Sequence, residues 1–320
     1  MPTIDDVSKL ANVSRATVSR VLTGTRGVRE ESREAVLRAV EELNYRPSFA
    51  AQNLASNTSS YVGMVLPANE AGFSATLLPQ LSQAVKALNK SLIIQYVNDA
   101  AEQQAVVESL QHQCVAVVTL SRNSGDVASN VIAFDAFSAQ GSASQGYNYA
   151  FATESACRYV LGKGHRNIAL LMDNESDVAS KQMLDGYRSV LQNYSLPFNR
   201  QLLVMADNNI EQALLTLINS FTKYTAIIAK RDCYAAEAMR LLREFNIAIP
   251  QEVSLVSLED SPLASLVYPP LTCIAYPVEQ LLEHCVQRIR ALIDGHSVFV
   301  PEGRAFTGRR VARSSVADIS

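Results

Sequence analysis

Residues 4–22 read IDDVSKLANVSRATVSRVL, and the spacing of their apolar side chains decides how the head of the chain folds. Ile4, Val7, Leu10 and Ala11 recur at helical intervals, which predicts one apolar face of a short helix. Thr3 stands at the N-cap with Asp6 at the position a capping box uses. Asn12-Val13 marks a turn, because Asn is among the few residues besides Gly that tolerate a left-handed backbone. Ser14 caps a second helix, with Val18, Val21 and Leu22 turned inward and Arg15, Ala16, Ser19 and Arg20 turned outward. A third helix places Val36, Ala39, Val40 and Leu43 inward. Two short helices joined by a tight turn and closed by a third predict a helix-turn-helix domain.

Charge agrees with that reading. The whole chain of 320 residues carries a formal charge of −3, which by itself points to no nucleic acid. Residues 1–60, however, hold eight basic and seven acidic side chains. Lys9, Arg15, Arg20, Arg26 and Arg29 follow one another with no acid between Asp6 and Glu30. A basic stretch alone is equally a solvated helix face; on the second helix of this motif it is the footprint of a DNA binder. Arg15 and Arg20 suit bidentate bonds to guanine, and Ala16 suits contact with a thymine methyl. The hydroxyls of Ser14, Thr17 and Ser19 suit phosphates.

The stretch IDDVSKLANVSRATVSRVL, followed by VREESREAVLRAVEELNYRPSFAAQNLA (28–55), resembles the DNA-binding head of the LacI/GalR family of bacterial repressors. Ser8 replaces a small Ala of the usual pattern, Asn12 replaces the turn Gly, and Arg29 stands where a Ser often caps the third helix. Residues 48–60, rich in Ala, Asn, Gln and Ser, read alone as a linker. The resemblance implies a hinge that becomes helical on DNA, with Leu54 as the apolar wedge that opens the minor groove.

From Tyr61 the pattern changes. YVGMVL, SLIIQYV, CVAVVTL, NVIAFDA, NIALLM, TAIIAK and VSLVSL are apolar runs of strand length. Helix-length amphipathic stretches separate most of them, at 74–90, 102–112, 151–163, 176–194, 209–222 and 232–246. This alternation predicts an α/β core with parallel sheets. The series is too long for one compact sheet and restarts near Gly146, so two similar lobes with a cleft between them are expected. The resemblance agrees: GKGHRNIALL, MLDGYRSVL, the long run from Ile249 to Leu281 and ARSS (312–315) look like the family's effector-binding core, a two-lobed fold of the periplasmic-binding type. The expected division is a head at 1–46, a hinge at 47–60 and a core at 61–320. Its lobes span about 61–148 plus 276–305, and 149–275 plus 306–320.

Composition and motifs exclude other classes. Hydrophobic residues make up 48% and charged residues 18%, enough for a large packed core. Cys114, Cys157, Cys233, Cys273 and Cys285 are scattered and odd in number, so core thiols are expected rather than disulfides or zinc ligands. The four histidines, His112, His165, His284 and His296, have no metal-ligand spacing. No G-x-S-x-G elbow or phosphate-binding G-x-x-x-x-G-K-[ST] loop occurs. No enzyme, catalytic residue, metal or cofactor is expected. The N-terminus lacks a secretion signal and no run is long enough to span a membrane, so a cytoplasmic protein is expected.

The resemblance also implies effector-binding positions. Asp135 and Phe73 match positions at the ligand and the cleft mouth; Asn148 stands for an Asp, and Met183 replaces an Arg that clamps sugar rings. Arg231-Asp232 stands where Asn-Asp is usual, and Glu259 replaces an Asp. Met183 cannot donate a hydrogen bond, while Arg231 brings a positive charge. An acidic or phosphorylated sugar-like metabolite is therefore expected, unless Arg231 pairs with Asp232 or Glu259 and closes an empty cleft. The expected partners are double-stranded DNA at a pseudo-palindromic site, a small-molecule effector and a second copy of the chain. A dimer rather than a coiled-coil tetramer is expected, because the residues from Arg313 to Ser320 fall short of three or four heptads. Two rival classes stay open: a regulator that has lost its ligand and answers to a partner protein, and a two-lobed ligand-binding protein.

Overall fold

The computed structural model describes residues 2–22, 27–45, 59–68, 71–120, 128–136, 146–175, 177–206, 209–295 and 305–320, with only the backbone for 71–74, 135 and 136. The chain divides into two compact units, residues 1–60 and 61–320.

In the first unit, α1 (Ile4–Leu10), α2 (Arg15–Leu22) and α3 (Glu30–Glu42) enclose a small core. Asp6 accepts hydrogen bonds from the Thr3 backbone N–H at 2.7 Å and the Thr3 hydroxyl at 2.8 Å, which fixes the start of α1. Asn12 takes the left-handed backbone of the interhelical turn, at φ 50°. The Thr17 N–H donates to the Ser14 hydroxyl at 3.2 Å, capping α2. Arg29 precedes α3 without a side-chain cap. Val7, Ala11, Val18, Val21, Val36, Ala39 and Tyr45 form the core. Fully burying one such valine contributes about 1.5–3 kcal/mol. Leu10, expected inside, is 45% exposed. Val7 and Ala11 lie one full turn apart and fill the contact with α2 and α3, leaving Leu10 at the edge of a seven-residue helix.

The second unit holds two six-stranded sheets with the same plan. The first contains β1 (Tyr61–Pro67), β2 (Ser91–Val97), β3 (Ala116–Leu120), β4 (Val131–Ala136), β5 (Gly146–Tyr147) and β11 (Ala305–Phe306), in the order β11-β5-β4-β3-β1-β2. The second contains β6 (Ile168–Met172), β7 (Leu203–Met205), β8 (Ala226–Ala229), β9 (Ser254–Ser257), β10 (Thr272–Ala275) and β12 (Arg309–Val311), in the order β12-β10-β9-β8-β6-β7. Among the described residues, all pairings are parallel except β10 with β12. The central parallel strands are covered by helices on both faces, which is why they read as unbroken apolar runs.

The helices are α4 (Ala71–Ala87), α5 (Ala100–Gln111), α6 (Tyr149–Gly162), α7 (Val178–Asn193), α8 (Ile210–Ile218), α9 (Asp232–Glu244), α10 (Pro262–Leu266) and α11 (Val278–Ile293). On β6, Ile168, Leu170 and Met172 pack toward α6 and α7, while Ala169 and Leu171 pack toward α8 and α9. Helices α6 and α7 approach closely at Gly186, where an added Cβ would lie 2.3 Å from the Ala150 carbonyl oxygen.

The chain crosses between the sheets after β5, after β10 and between Phe306 and Arg309. The crossings touch one another: the Asn148 N–H donates to the Phe306 carbonyl at 2.9 Å, and the Tyr147 and Tyr276 rings lie 4.4 Å apart. Four of the five cysteines are buried; Cys233, expected in the core, is exposed at the start of α9.

Candidate DNA interface and effector site

On α2, the sequence 3.6-residue period buries Val18 and Val21 and leaves Arg15, Ala16 and Arg20 exposed, with Thr17 and Ser19 half-buried. One continuous edge therefore carries two guanidinium groups, a methyl group and hydroxyls. Ser14 and Thr17 share a hydroxyl contact at 2.9 Å. Arg15 is held from the neighbouring helix: its Nε and Nη2 both donate to the carboxylate of Asp5. Leu54 lies outside the described residues.

The second site grows from the strand order. In a sheet ordered 2-1-3, the chain turns opposite ways beside the first strand, and the carboxyl ends at that switch point are where ligands bind. In the second sheet the switch lies between β6 and β8. Asp173 follows β6; Lys230 and Arg231 follow β8. The Lys230 ammonium donates to Asp173 at 2.6 Å and to Asp177 at 2.9 Å. The Arg231 guanidinium donates to Asp173 at 2.9 Å, and the Tyr234 hydroxyl donates to it at 2.7 Å. Lys230 also lies 5.5 Å from the centre of the Tyr149 ring. Burial works to raise the Asp173 carboxyl, but the charges of Lys230 and Arg231 outweigh it and bring its pKa down to about 2. The same opposition lowers Asp177, with Lys230 its main cation.

The positive charge expected at Arg231 is thus matched, and its partner is Asp173 rather than Asp232 or Glu259. Asp232 is fully buried and accepts the Ser261 and Asp260 backbone N–H groups, while Glu259 accepts the Asp232 N–H at 2.8 Å. These two acids fasten the loop after β9 to the start of α9. Asn148 caps α6 by accepting from the Phe151 N–H at 2.9 Å. Met183 is fully buried in the core beside Tyr187 and Ile168, where it fills space. The side chains of Phe73 and Asp135 lie outside the described residues. Asp173, Asp177, Lys230 and Tyr234 were not anticipated. The signal that could have found Asp173 and Lys230 is their place at the ends of the runs NIALLM and TAIIAK.

Among the described residues, no group of His, Cys, Asp and Glu is arranged to hold a metal ion. Nor is any helix there long and apolar enough to cross a membrane.

A helix-turn-helix head followed in sequence by a two-sheet core with polar groups at a switch point defines a DNA-binding regulator with a sensory core. Comparison with known proteins agrees. Residues 3–48 match the model of bacterial regulatory proteins of the lacI family, and residues 157–316 match a periplasmic binding protein-like domain. The HTH-type transcriptional regulator GalR of Escherichia coli (strain K12) is 30% identical over 81% of this chain and 80% of its own length. The HTH-type transcriptional regulator AscG of the same organism is 27% identical over 99% and 98%. The lac repressor dimer bound to operator and the anti-inducer ONPF shares the fold, with a TM-score of 0.84 at 24% identity over 99% of both chains. The chain belongs to the lacI family of bacterial transcriptional regulators.

Proposed function

We propose that the protein is a cytoplasmic repressor, without catalytic activity, that binds a pseudo-palindromic operator as a two-fold dimer. Residues 1–46 read DNA, residues 47–60 form the hinge with Leu54 at its wedge position, and residues 61–320 sense a small metabolite and dimerise. The observation that carries this reading is the exposed edge of α2, with Arg15, Ala16 and Arg20 side by side. A dimer of such heads reads two related half-sites.

The metabolite sits at the carboxyl ends of β6 and β8, facing Asp173, Lys230 and Arg231. Because Asp173 and Asp177 already pair with these cations, the site favours a sugar-like polyol over a simple anion. Hydroxyls can both donate to the carboxylates and accept from the cations. An acidic or phosphorylated ligand must displace Asp173. The ribose operon repressor of Haemophilus influenzae, 28% identical over 82% of this chain, supports a sugar-like ligand.

The test is anisotropy of the full chain on its selected operator, titrated with hexoses, pentoses, and their acids and phosphates. A change in operator affinity with a neutral sugar, weakened by Asp173→Asn, supports the reading. No response to any of them favours the partner-controlled alternative, in which the paired charges close the site.

A further inference from the structure

Asp5 and Asp6 are adjacent acids in the first turn of α1, and the structure gives them different work. Asp6 turns back to Thr3 and caps the helix. Asp5 reaches across to α2 and accepts from both Nε and Nη2 of Arg15, a two-point grip on one edge of the guanidinium. The side chains are 37% and 67% exposed, so the pair lies on the surface and not in the core.

Two physical consequences follow. The first is geometric. Arg has five N–H donors in a rigid plane, and Asp5 occupies the side edge. The end edge keeps Nη1 and Nη2 N–H groups, the fork that matches O6 and N7 of guanine. A guanidinium fixed on one edge loses little further rotamer freedom when the other edge meets a base. The second is electrostatic. A carboxylate on a DNA-facing head is repelled by phosphates. Paired with Arg15 it forms a unit of zero net charge, on which phosphates exert a weaker pull than on a bare guanidinium.

We propose that Asp5 is a positioning residue that sets base preference: it holds Arg15 end-on toward one guanine in each half-site. This rests on the reading of α2 as the base-contacting helix and deepens it by assigning a determinant outside that helix.

The experiment uses the full chain. Binding sites are selected from random DNA with the wild type, Asp5→Asn, Asp5→Glu, Arg15→Ala and Asp5→Asn/Arg15→Ala. Affinities for the selected site and its single-base variants are then measured across salt concentrations. Arg15→Ala is expected to abolish a guanine preference of about tenfold or more at one position per half-site. Asp5→Asn is expected to cut the same preference to under about threefold and leave the other positions intact. It should also steepen the salt dependence by about one ion, because the freed Arg15 turns to a phosphate. Asp5→Glu keeps part of the preference, and the double variant loses no more than Arg15→Ala. A purely structural role for the pair would weaken all sites equally. That result overturns the proposal, as does an unchanged guanine preference in Asp5→Asn. If Arg15→Ala changes no base preference at all, the assignment of Arg15 to the bases falls as well.

Discussion

The Lys230 ammonium lies 2.6 Å from the Asp173 carboxylate, with both side chains almost sealed from solvent, at the end of two strands that sequence alone presents as plain apolar runs. A buried pair of this kind is costly to assemble and far more costly to break, because the survivor keeps a buried charge with fewer partners.

Replacing Asp173 is therefore a severe test of the second unit. Asp173→Ala leaves Lys230 paired with Asp177 and removes one acceptor each from Arg231 and Tyr234. The expected loss is about 3–5 kcal/mol of stability in urea unfolding followed by circular dichroism. A loss under about 1 kcal/mol would mean that the network contributes nothing to the fold.

The same carboxyl sets a dependence on acid. Its folded pKa, about 2, lies below the ordinary carboxylate value of 3.8. Its stabilisation is thus fully present above the unfolded value and is lost as pH falls from there toward 2. The shift amounts to about 2 kcal/mol. Urea midpoints from pH 5 to pH 2 should fall less steeply in a folded Asp173→Asn variant than in the wild type.

His165 acts in a milder range. Its ring bridges the Thr225 hydroxyl at 3.0 Å and the Ala317 carbonyl at 3.2 Å, tying residues near the end of the chain to the second sheet. Burial lowers its pKa below 6.5, so the neutral ring is the native form. The stabilisation is present above 6.5 and disappears as pH drops through the folded value. Protection factors at 315–320, corrected for the base-catalysed intrinsic exchange rate, should fall between pH 7 and pH 5, and His165→Gln should flatten that response.

Gly186→Ala tests the packing of α6 on α7. The new Cβ would meet the backbone of Ala150 well inside contact distance. Backbone cannot yield as a flexible side chain can, so a loss of about 1–3 kcal/mol or more is expected in thermal unfolding. An unchanged midpoint would show that the helices separate freely.

Much of this molecule was legible before its structure. The long strands announced themselves because parallel sheets bury both faces, which forces runs such as YVGMVL and NIALLM. The head was legible because Thr3, Asn12 and Ser14 perform backbone tasks that few residue types can. Strands β5 and β11, of two residues each, left no pattern; they exist because the neighbouring crossing aligns them. Leu10 matched the helical period yet sits outside, since a two-turn helix has too little face for four apolar residues. The ends of the runs NIALLM and TAIIAK mark Asp173 and Lys230 singly, but not their pairing, because they are 57 residues apart and only the strand order brings them together. The place of Met183 in the motif suggests a missing ligand clamp, whereas packing puts its side chain in the core.

The central claim is that two copies of the head read one operator, and selection of binding sites from random DNA tests it most directly. With the full chain at physiological salt, inverted, related half-sites should be enriched and bound by two chains in a band-shift titration. Arg20→Ala should lose about 1–3 kcal/mol at one position in each half. Recovery of unrelated sequences, or of single half-sites bound by one chain, would contradict it.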